Sequence, residues 1–525
     1  MKEFIAKFGD KINGILSGFD RLVFRGHLRG ISYVAGMEGY LWANRVLKKE
    51  FGEHAEKVTE RLKEASLAEA RRGKRPVQYL ASSKISKEDV ARAIAVKDGI
   101  GNGLVCVLTS VEPCRSFDIF KNRETKKLDL VSRDRHCLCL YHYWMHPVFG
   151  FMNARIQSWF PFPIQICLNG REWLARQMDH VGLSYLRQDN CFPWVEDWAR
   201  AQELMDSQLK ADWPQLLGAI AGQLHPLHEE AFAKYPLRYY WSTYQSEWAS
   251  DVVFREAATL RRLHPRLLRH GMTALGSTDV MRFLGRRIPP KGEVPARFNG
   301  EVVSDVKQRE EGVRLKHAVN GNSQKLYDKA YTPVGSVLRP ECTIHQVEDL
   351  RTYRPKEGDP EGPLAWRPMR RGIADLHRRA EVSQKANERY LDALASVDES
   401  TTVAELVQDL TRPVNWNGHR VRALRPLDAA DSALLAAIGR GEFVINGLRN
   451  RDLQRLLFQT QPDSPQQAKR RSAQVSRKLR ILRAHGLLQK VPRTHRYQVT
   501  PHGRQAITAI LTARQASVAQ LSKAA

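Results

Sequence analysis

The sequence has no apolar run of the roughly 18 residues that a membrane-spanning helix requires. Its first residues, MKEFIAKFGDKINGILSGFDRLVF, lack the apolar core and small-residue cleavage site of a secretory leader. A cytoplasmic protein with no membrane partner is expected. Cysteine is scarce, with seven residues at positions 106, 114, 137, 139, 167, 191 and 342. No C-x-x-C pair occurs, so reduced, buried thiols are expected rather than a zinc site. Internal repeats, heptad arrays and long low-complexity tracts are not apparent, which argues against solenoids, coiled coils and disordered chains. Negative charge is also short: 57 Asp and Glu face 83 Lys and Arg, a net charge of +26. A balance of that size and sign favours polyanions, of which nucleic acid is the commonest.

What is present is a folded chain of 525 residues, 42% hydrophobic, with eleven Trp. That length predicts several domains. Residues 1–100 read as mainly helical, interrupted by GILSGFDRLVFRGHL, an extended segment in which Asp20 sits among apolar residues and is followed by Arg21 and Arg25. Over 101–170 apolar residues recur with period two, predicting an antiparallel meander. Residues 171–295 read as a helical region and 296–355 as a second strand-rich block. The two strand blocks complete one sheet or form two domains; the pattern leaves both open. A Pro- and Gly-rich boundary near 354–368 opens a linker and amphipathic helix over 356–427, before a last domain at 428–525. The expected fold class is α+β and multidomain, an antiparallel-sheet body with helical insertions and a distinct C-terminal domain.

That last domain carries the sharpest signal. VSRKLRILRAHGLLQKVPRTHRYQVTPHGRQ, residues 475–505, holds eight lysines and arginines and no acidic residue. Three helices are expected from 429 to 485, ended by Gly486 in the position glycine favours after a helix. A strand, turn, strand and closing helix follow. The order resembles the winged helix-turn-helix of MarR-type regulators. The resemblance implies nucleic-acid contact by Lys469, Arg470, Arg471, Arg477, Lys478, Arg480 and Arg483 on the third helix and by Arg493, His495 and Arg496 at the wing. A solvated basic face or a protein-binding winged helix is the competing reading, but a face serving solubility alone normally mixes charge signs.

In the body, NSQKLYDKAYTPVGSVLRPECTI (322–344) resembles a stretch of rolling-circle replication initiators, in which a YDK strand precedes an R-x-E strand. The resemblance implies DNA nicking with Tyr327 as or near the nucleophile, Lys325 and Lys329 on the scissile phosphate, and Glu341 as ligand to Mg2+ or Mn2+. The His-hydrophobic-His triplet of related nickases is absent, since His142 and His146 are four residues apart. A tyrosine that merely pairs across strands is the alternative. Asp305, Glu247 and Asp251 are further candidate ligands. Glu247 and Asp251, four apart, would share one face of a helix, with salt bridges as their ordinary role. Asp20 and Asp305 fall on expected strands, and Asp279 at a helix start is as well explained as a cap. The aromatics of HYWMHPVFGFMNARIQSWFPF and KYPLRYYWSTYQSEW are assigned mostly to packing, with base stacking as the rival use.

Together these features lead to the expectation of a DNA-binding protein associated with replication or a mobile element, performing metal-dependent strand nicking or transfer. The rivals are a non-enzymatic winged-helix regulator and a component that binds structured RNA.

Overall fold

The segment INGILSGFDRLVFRGHL forms the 17-residue strand β1 (Ile12–Leu28). In the computed structural model, β1 lies in the middle of an eleven-stranded sheet. The residues described are 1–525 except 83, 286–301, 310–311, 349, 357, 360, 396–402, 440–446, 459, 492–493 and 516–525. On one side of β1 lie β2 (Val77–Tyr79), β3 (Gly103–Lys121), β4 (Leu128–His146), β5 (Gly150–Gln157) and β6 (Ile164–Asn169). A separate hairpin, β7 (Tyr185–Gln188) and β8 (Cys191–Val195), precedes the long strand β9 (Tyr239–Phe254). Beyond β9 lie β10 (Val303–Arg309), β11 (Gly312–Val319), β12 (Asn322–Thr332) and β13 (Gly335–Ile344).

The strand order is β10-β11-β12-β13-β9-β1-β6-β5-β4-β3-β2. Neighbours are antiparallel except β2 and β3. Both halves follow one plan: a long strand, then helices, then a four-stranded meander whose last strand returns to pair with the long one. β1 and β9 join the halves, so the two strand blocks complete a single sheet. Local chemistry sets the register of the hairpins. Between β11 and β12, Asn320 and Gly321 both take positive φ, 46° and 76°, as a two-residue Asn-Gly turn requires.

The helices of the body are α1 (Lys2–Phe8), α2 (Val34–Ala43), α3 (Phe51–Arg72), α4 (Lys87–Lys97), α5 (Gly170–Val181), α6 (Trp198–Asp206), α7 (Trp213–Leu224), α8 (His228–Ala231), α9 (Ala257–Thr273), α10 (Ser277–Phe283) and α11 (Leu376–Ala395). One face of the sheet buries Phe19, Phe24, Trp248 and Leu140 under α2, α3 and α7. On the same face Val252, Leu326 and Leu338 pack against α9 and α11. Elements pack on the opposite face at two places. At one end α5, α6 and the β7–β8 hairpin close over Leu16. Gly18 makes room there, since a Cβ would stand 2.1 Å from the Met205 side chain. At the other end α4 packs Ala91 onto Leu108, Tyr143 and Phe151. Between them lies a strip of exposed and half-buried polar side chains that includes Arg21, Arg25, Arg155, Gln165 and Glu247.

From residue 403 onward the chain builds its own core around Leu424, Leu435, Leu453, Leu479, Leu482 and Ile507. Its elements are helix Val403–Gln408, the hairpin Val414–Trp416/His419–Val421, helix Ala429–Ile438, strand Leu448–Arg449, helices Asn450–Leu457 and Pro465–Ala484, strands Leu488–Lys490 and Arg496–Val499, and helix Pro501–Gln515. Ser464 caps the long helix by accepting from Gln467 N–H, Pro465 occupies its first turn, and Gly486 follows its end with φ 69°.

Two expectations are corrected. Residues 171–295 are not simply helical, because β9 and the β7–β8 hairpin lie there. Residues 1–100 are mainly helical apart from the expected extended segment, which is the central strand β1. Residues 356–427 are not a linker with one helix: α11 belongs to the body core, whereas Leu410 and Leu424 belong to the C-terminal core.

Candidate metal centre on the uncovered sheet face

Three carboxylates meet where β1, β9 and β13 lie side by side. Asp20, Glu247 and Glu341 each offer an oxygen, and these atoms lie within 4.8 Å of one another. Each arrives by a different local rule. In the ladder Phe19 pairs with Trp248 and Arg21 with Glu247, so Asp20 is the extra residue of a β-bulge. Bulges re-aim side chains and are common beside active sites. Glu247 pairs with Thr343, which shares a face with Glu341 two residues earlier on β13. Lys325 lies directly across from Glu341. Its ammonium donates to Glu341 Oε1 at 2.5 Å and stands 3.7 Å from Glu247 Oε1.

Asp20 is steadied from the covered end. Asn190, in the turn of the β7–β8 hairpin, donates Nδ2 to both Asp20 oxygens at 3.0 Å, and Arg339 Nη1 lies 3.4 Å from Oδ1. Burial pushes the Glu247 carboxyl above the usual range, and the Glu341 and Asp20 charges push it the same way against Lys325 and Arg21. Burial alone would lower the Lys325 ammonium, but Glu341 and Glu247 more than reverse this and keep it protonated. Three clustered carboxylates suit a hard divalent cation such as Mg2+ or Mn2+. Beside them, Asn190 Oδ1 is buried without a hydrogen-bond partner, a further oxygen donor at the same place.

The chain matches no protein-family model, no curated protein and no solved structure.

Of the candidate ligands, Glu247 and Glu341 converge, and Asp20 joins them. Glu247 and Asp251 do share a face, but of strand β9 rather than of a helix. Asp251 is held elsewhere. Burial would raise its pKa, but Arg171 and Arg339 outweigh burial and hold its carboxyl low, with Arg171 Nη2 at 3.1 Å and Arg339 Nη2 at 2.8 Å. Asp305 lies near the far edge on β10, with Lys307 at 2.9 Å and Arg314 at 3.6 Å. Asp279 accepts from Gly276 N–H at the start of α10, as a helix-start residue would. Tyr327 is on β12 opposite Arg339, on the same face as Lys325 and within its electrostatic reach, with Lys329 Nζ 5.0 Å from its ring centroid. Sequence reasoning missed Asn190, Arg171 and Arg339, whose roles depend on contacts across the fold. Asp20 had a local signal, a lone acid inside an apolar strand.

In the C-terminal unit Lys469, Arg470, Arg477 and Arg480 are exposed on helix Pro465–Ala484, and His495 and Arg496 on the hairpin. Arg471 donates to Thr460 O and lies over the Phe458 ring, Arg483 lies over Trp416, and Lys478 is half-buried near Asp431. Arg493 falls outside the described residues.

Proposed function

We propose that this protein acts on phosphodiester bonds in nucleic acid, with Mg2+ or Mn2+ held by Asp20, Glu247 and Glu341, and that its C-terminal unit is a winged helix that brings it to its target. The observation that carries this reading is the convergence of three carboxylates, Asp20 and Glu341 buried and Glu247 half-buried, beside an arginine-bearing strip of the sheet in a strongly basic chain. The C-terminal order of helix, short strand, two helices, hairpin and helix supports the winged-helix reading. The layout of a large body joined to a reader suits a replication initiator or mobile-element protein.

Bound there, the cation would polarise a phosphoryl oxygen and stabilise the charge that develops on it. The protein's own residues do the rest. Lys325 tempers the repulsion among the carboxylates and is placed beside any phosphate brought to them. Arg21, paired with Glu247 across the strands and exposed, offers a second positive contact. Tyr327, buried on the same face as Lys325, would be the group to take the strand covalently if the reaction is transfer rather than hydrolysis. Its attack on phosphorus would form a phosphotyrosine bond as the P–O bond to the deoxyribose breaks, the phenolic proton passing to solvent and the leaving oxygen taking one proton back from solvent to become a hydroxyl.

One observation favours a second reading. Lys325 already partly neutralises the triad, as in an ion-pair core that holds a sheet together, and a regulator or RNA-binding component needs no more. To separate the two, labelled single-stranded DNA, duplex DNA and folded RNA are incubated with and without Mg2+ or Mn2+ and run on denaturing gels. Metal-dependent cleavage or adducts, lost in Glu341→Gln and Asp20→Asn, are expected. Intact substrates despite tight binding would leave the non-enzymatic reading.

A further inference from the structure

Farther along β1 from the carboxylates the sheet opens into a cavity of about 390 Å³, lined by Arg25, His27, Arg115, Arg155, Gln157 and Gln165 among others. Its electrostatics are incomplete. Arg155 is matched by Glu112 at 3.0 Å, and Arg115 faces Asp134 at 3.4 Å. Arg25 has no such partner: among the described residues no carboxylate lies within salt-bridge distance of it. Its Nε donates to Gln165 Oε1 at 3.3 Å, and its guanidinium lies over Tyr244, 3.3 Å from the ring centroid. Burial pulls its pKa down, and Arg155 and Arg371 add to the effect against support from Tyr244. Four residues on, Arg29 repeats the arrangement on Tyr240, 3.1 Å from the ring centroid and likewise without a carboxylate. A half-buried arginine at a cavity wall, in the field of other arginines, is an anion site awaiting its anion.

The geometry also gives the site a direction. Arg21, Arg25 and Arg29 are spaced by four along β1 and the turn that follows it, so roughly 13 Å separates neighbours at the rise of a strand. The series starts at Arg21, next to Asp20 and paired across the strands with Glu247. Tyr244, the extra β9 residue at a further bulge of the β1–β9 ladder, and Tyr240 brace the second and third arginines. A free phosphate would need one such position, whereas a row of them fits a polyanion. The cavity is recessed between the β3 segment Pro113–Phe117 and the turn at Pro161 and Pro163. A flexible strand can dip its backbone there, and a duplex, stiff over about 150 base pairs, cannot.

We propose that a single-stranded nucleic acid runs along β1 from the carboxylate centre, its phosphates taken by Arg21, Arg25 and Arg29, with the Arg25 contact made inside the cavity. This rests on the reading of the carboxylates as a nucleic-acid centre. Guanidinium groups already stacked on tyrosines hold their donors in place, so little side-chain freedom is lost on binding.

The test uses the full-length protein in EDTA, with a labelled oligodeoxythymidylate, the matching duplex and a deoxymononucleotide, titrated across a range of KCl concentrations. Arg25→Ala and the exposed Arg29→Ala are expected to weaken single-strand binding about tenfold and to reduce the salt slope by about 0.7 for each phosphate no longer neutralised, leaving duplex binding unchanged. Arg25→Lys keeps the charge and should retain the slope. Thermal melts establish that each variant is folded, and Arg29→Ala carries the test if Arg25→Ala is not. Unchanged single-strand affinity and slope in the folded variants would overturn the track, even if Glu341→Gln abolished cleavage and left the centre's role standing. Equal losses on duplex and single strand, or a mononucleotide that binds as tightly as the strand, would overturn it too. Weakened single-strand binding with no cleavage by the wild type would instead remove the enzymatic reading and keep the track.

Discussion

The ammonium of Lys325 donates to Glu341 Oε1 at 2.5 Å while standing 3.7 Å from Glu247, so one buried cation serves two of the three converging carboxylates. An incoming divalent ion competes with that ammonium for the same oxygens. A unit charge about 4 Å away is worth about 4 kcal/mol at an effective dielectric of 20, so its removal matters. Lys325→Met should therefore cost the metal-free protein about 3 kcal/mol, the range for breaking a buried pair. It should also tighten Mn2+ binding by at least about tenfold and let Mn2+ recover much of the lost stability. Calorimetric titration and melts with and without Mn2+ check this. Equal or weaker Mn2+ binding in the variant would mean that the triad is an ion-pair core.

Glu247 predicts a pH dependence. Its carboxyl is raised first by burial and then by Glu341, so the folded state holds its proton more tightly than the unfolded chain does. Metal-free stability from this group is full below the unfolded glutamate value, about 4.3, and is lost as pH rises through the higher folded value. Divalent ions favour the ionised form, so their affinity should rise with pH over the same window. Melting wild type and Glu247→Gln across pH isolates the contribution. Parallel curves for the two proteins would contradict the assigned shift.

Asp251 should behave differently from the triad. It is fully buried between Arg171 and Arg339, and its removal leaves two enclosed guanidinium groups short of their main countercharge. Asp251→Asn should destabilise the fold by about 3 kcal/mol, and Mn2+ should restore none of this beyond what it gives the wild type. Chemical denaturation with and without the ion measures it. A specific rescue by Mn2+ would place Asp251 among the ligands.

How far the site could be read in advance follows from how local its signals were. The meander over 101–170 shows period-two alternation, and Lys325 and Glu341 lie on adjacent strands joined by a short turn, so their meeting was legible. Asp20 stood out as an acid in an apolar strand, but the bulge that aims it exists only against β9. β9 itself was obscured by an ambiguity of spacing. Residues four apart share a face in a strand as well as in a helix, so Glu247 and Asp251 could not tell the two apart. Pairing β9 with β1 joins residues more than 200 positions apart, as with Asp251 and Leu16. The repeated plan of the two halves is one of strand order, so a search for sequence repeats does not find it.

The basic helix Pro465–Ala484 supplies the last prediction. Arg477 and Arg480 are exposed, and neither has a carboxylate partner among the described residues, whereas Arg471 and Arg483 are committed to Phe458 and Trp416. If this helix meets a duplex, the free pair and Lys478 release counterions on binding and the committed pair contributes less. The triple variant Arg477→Ala, Lys478→Ala, Arg480→Ala should lower the salt slope for duplex DNA by about 0.9 for each phosphate that is no longer neutralised. The same substitutions should leave binding of a single strand to the body unaffected, because that strand is assigned to β1. Polarisation titrations with both ligands provide the check. An unchanged duplex slope would remove the C-terminal unit as the reader, and a fall on both ligands would mean that one surface serves both.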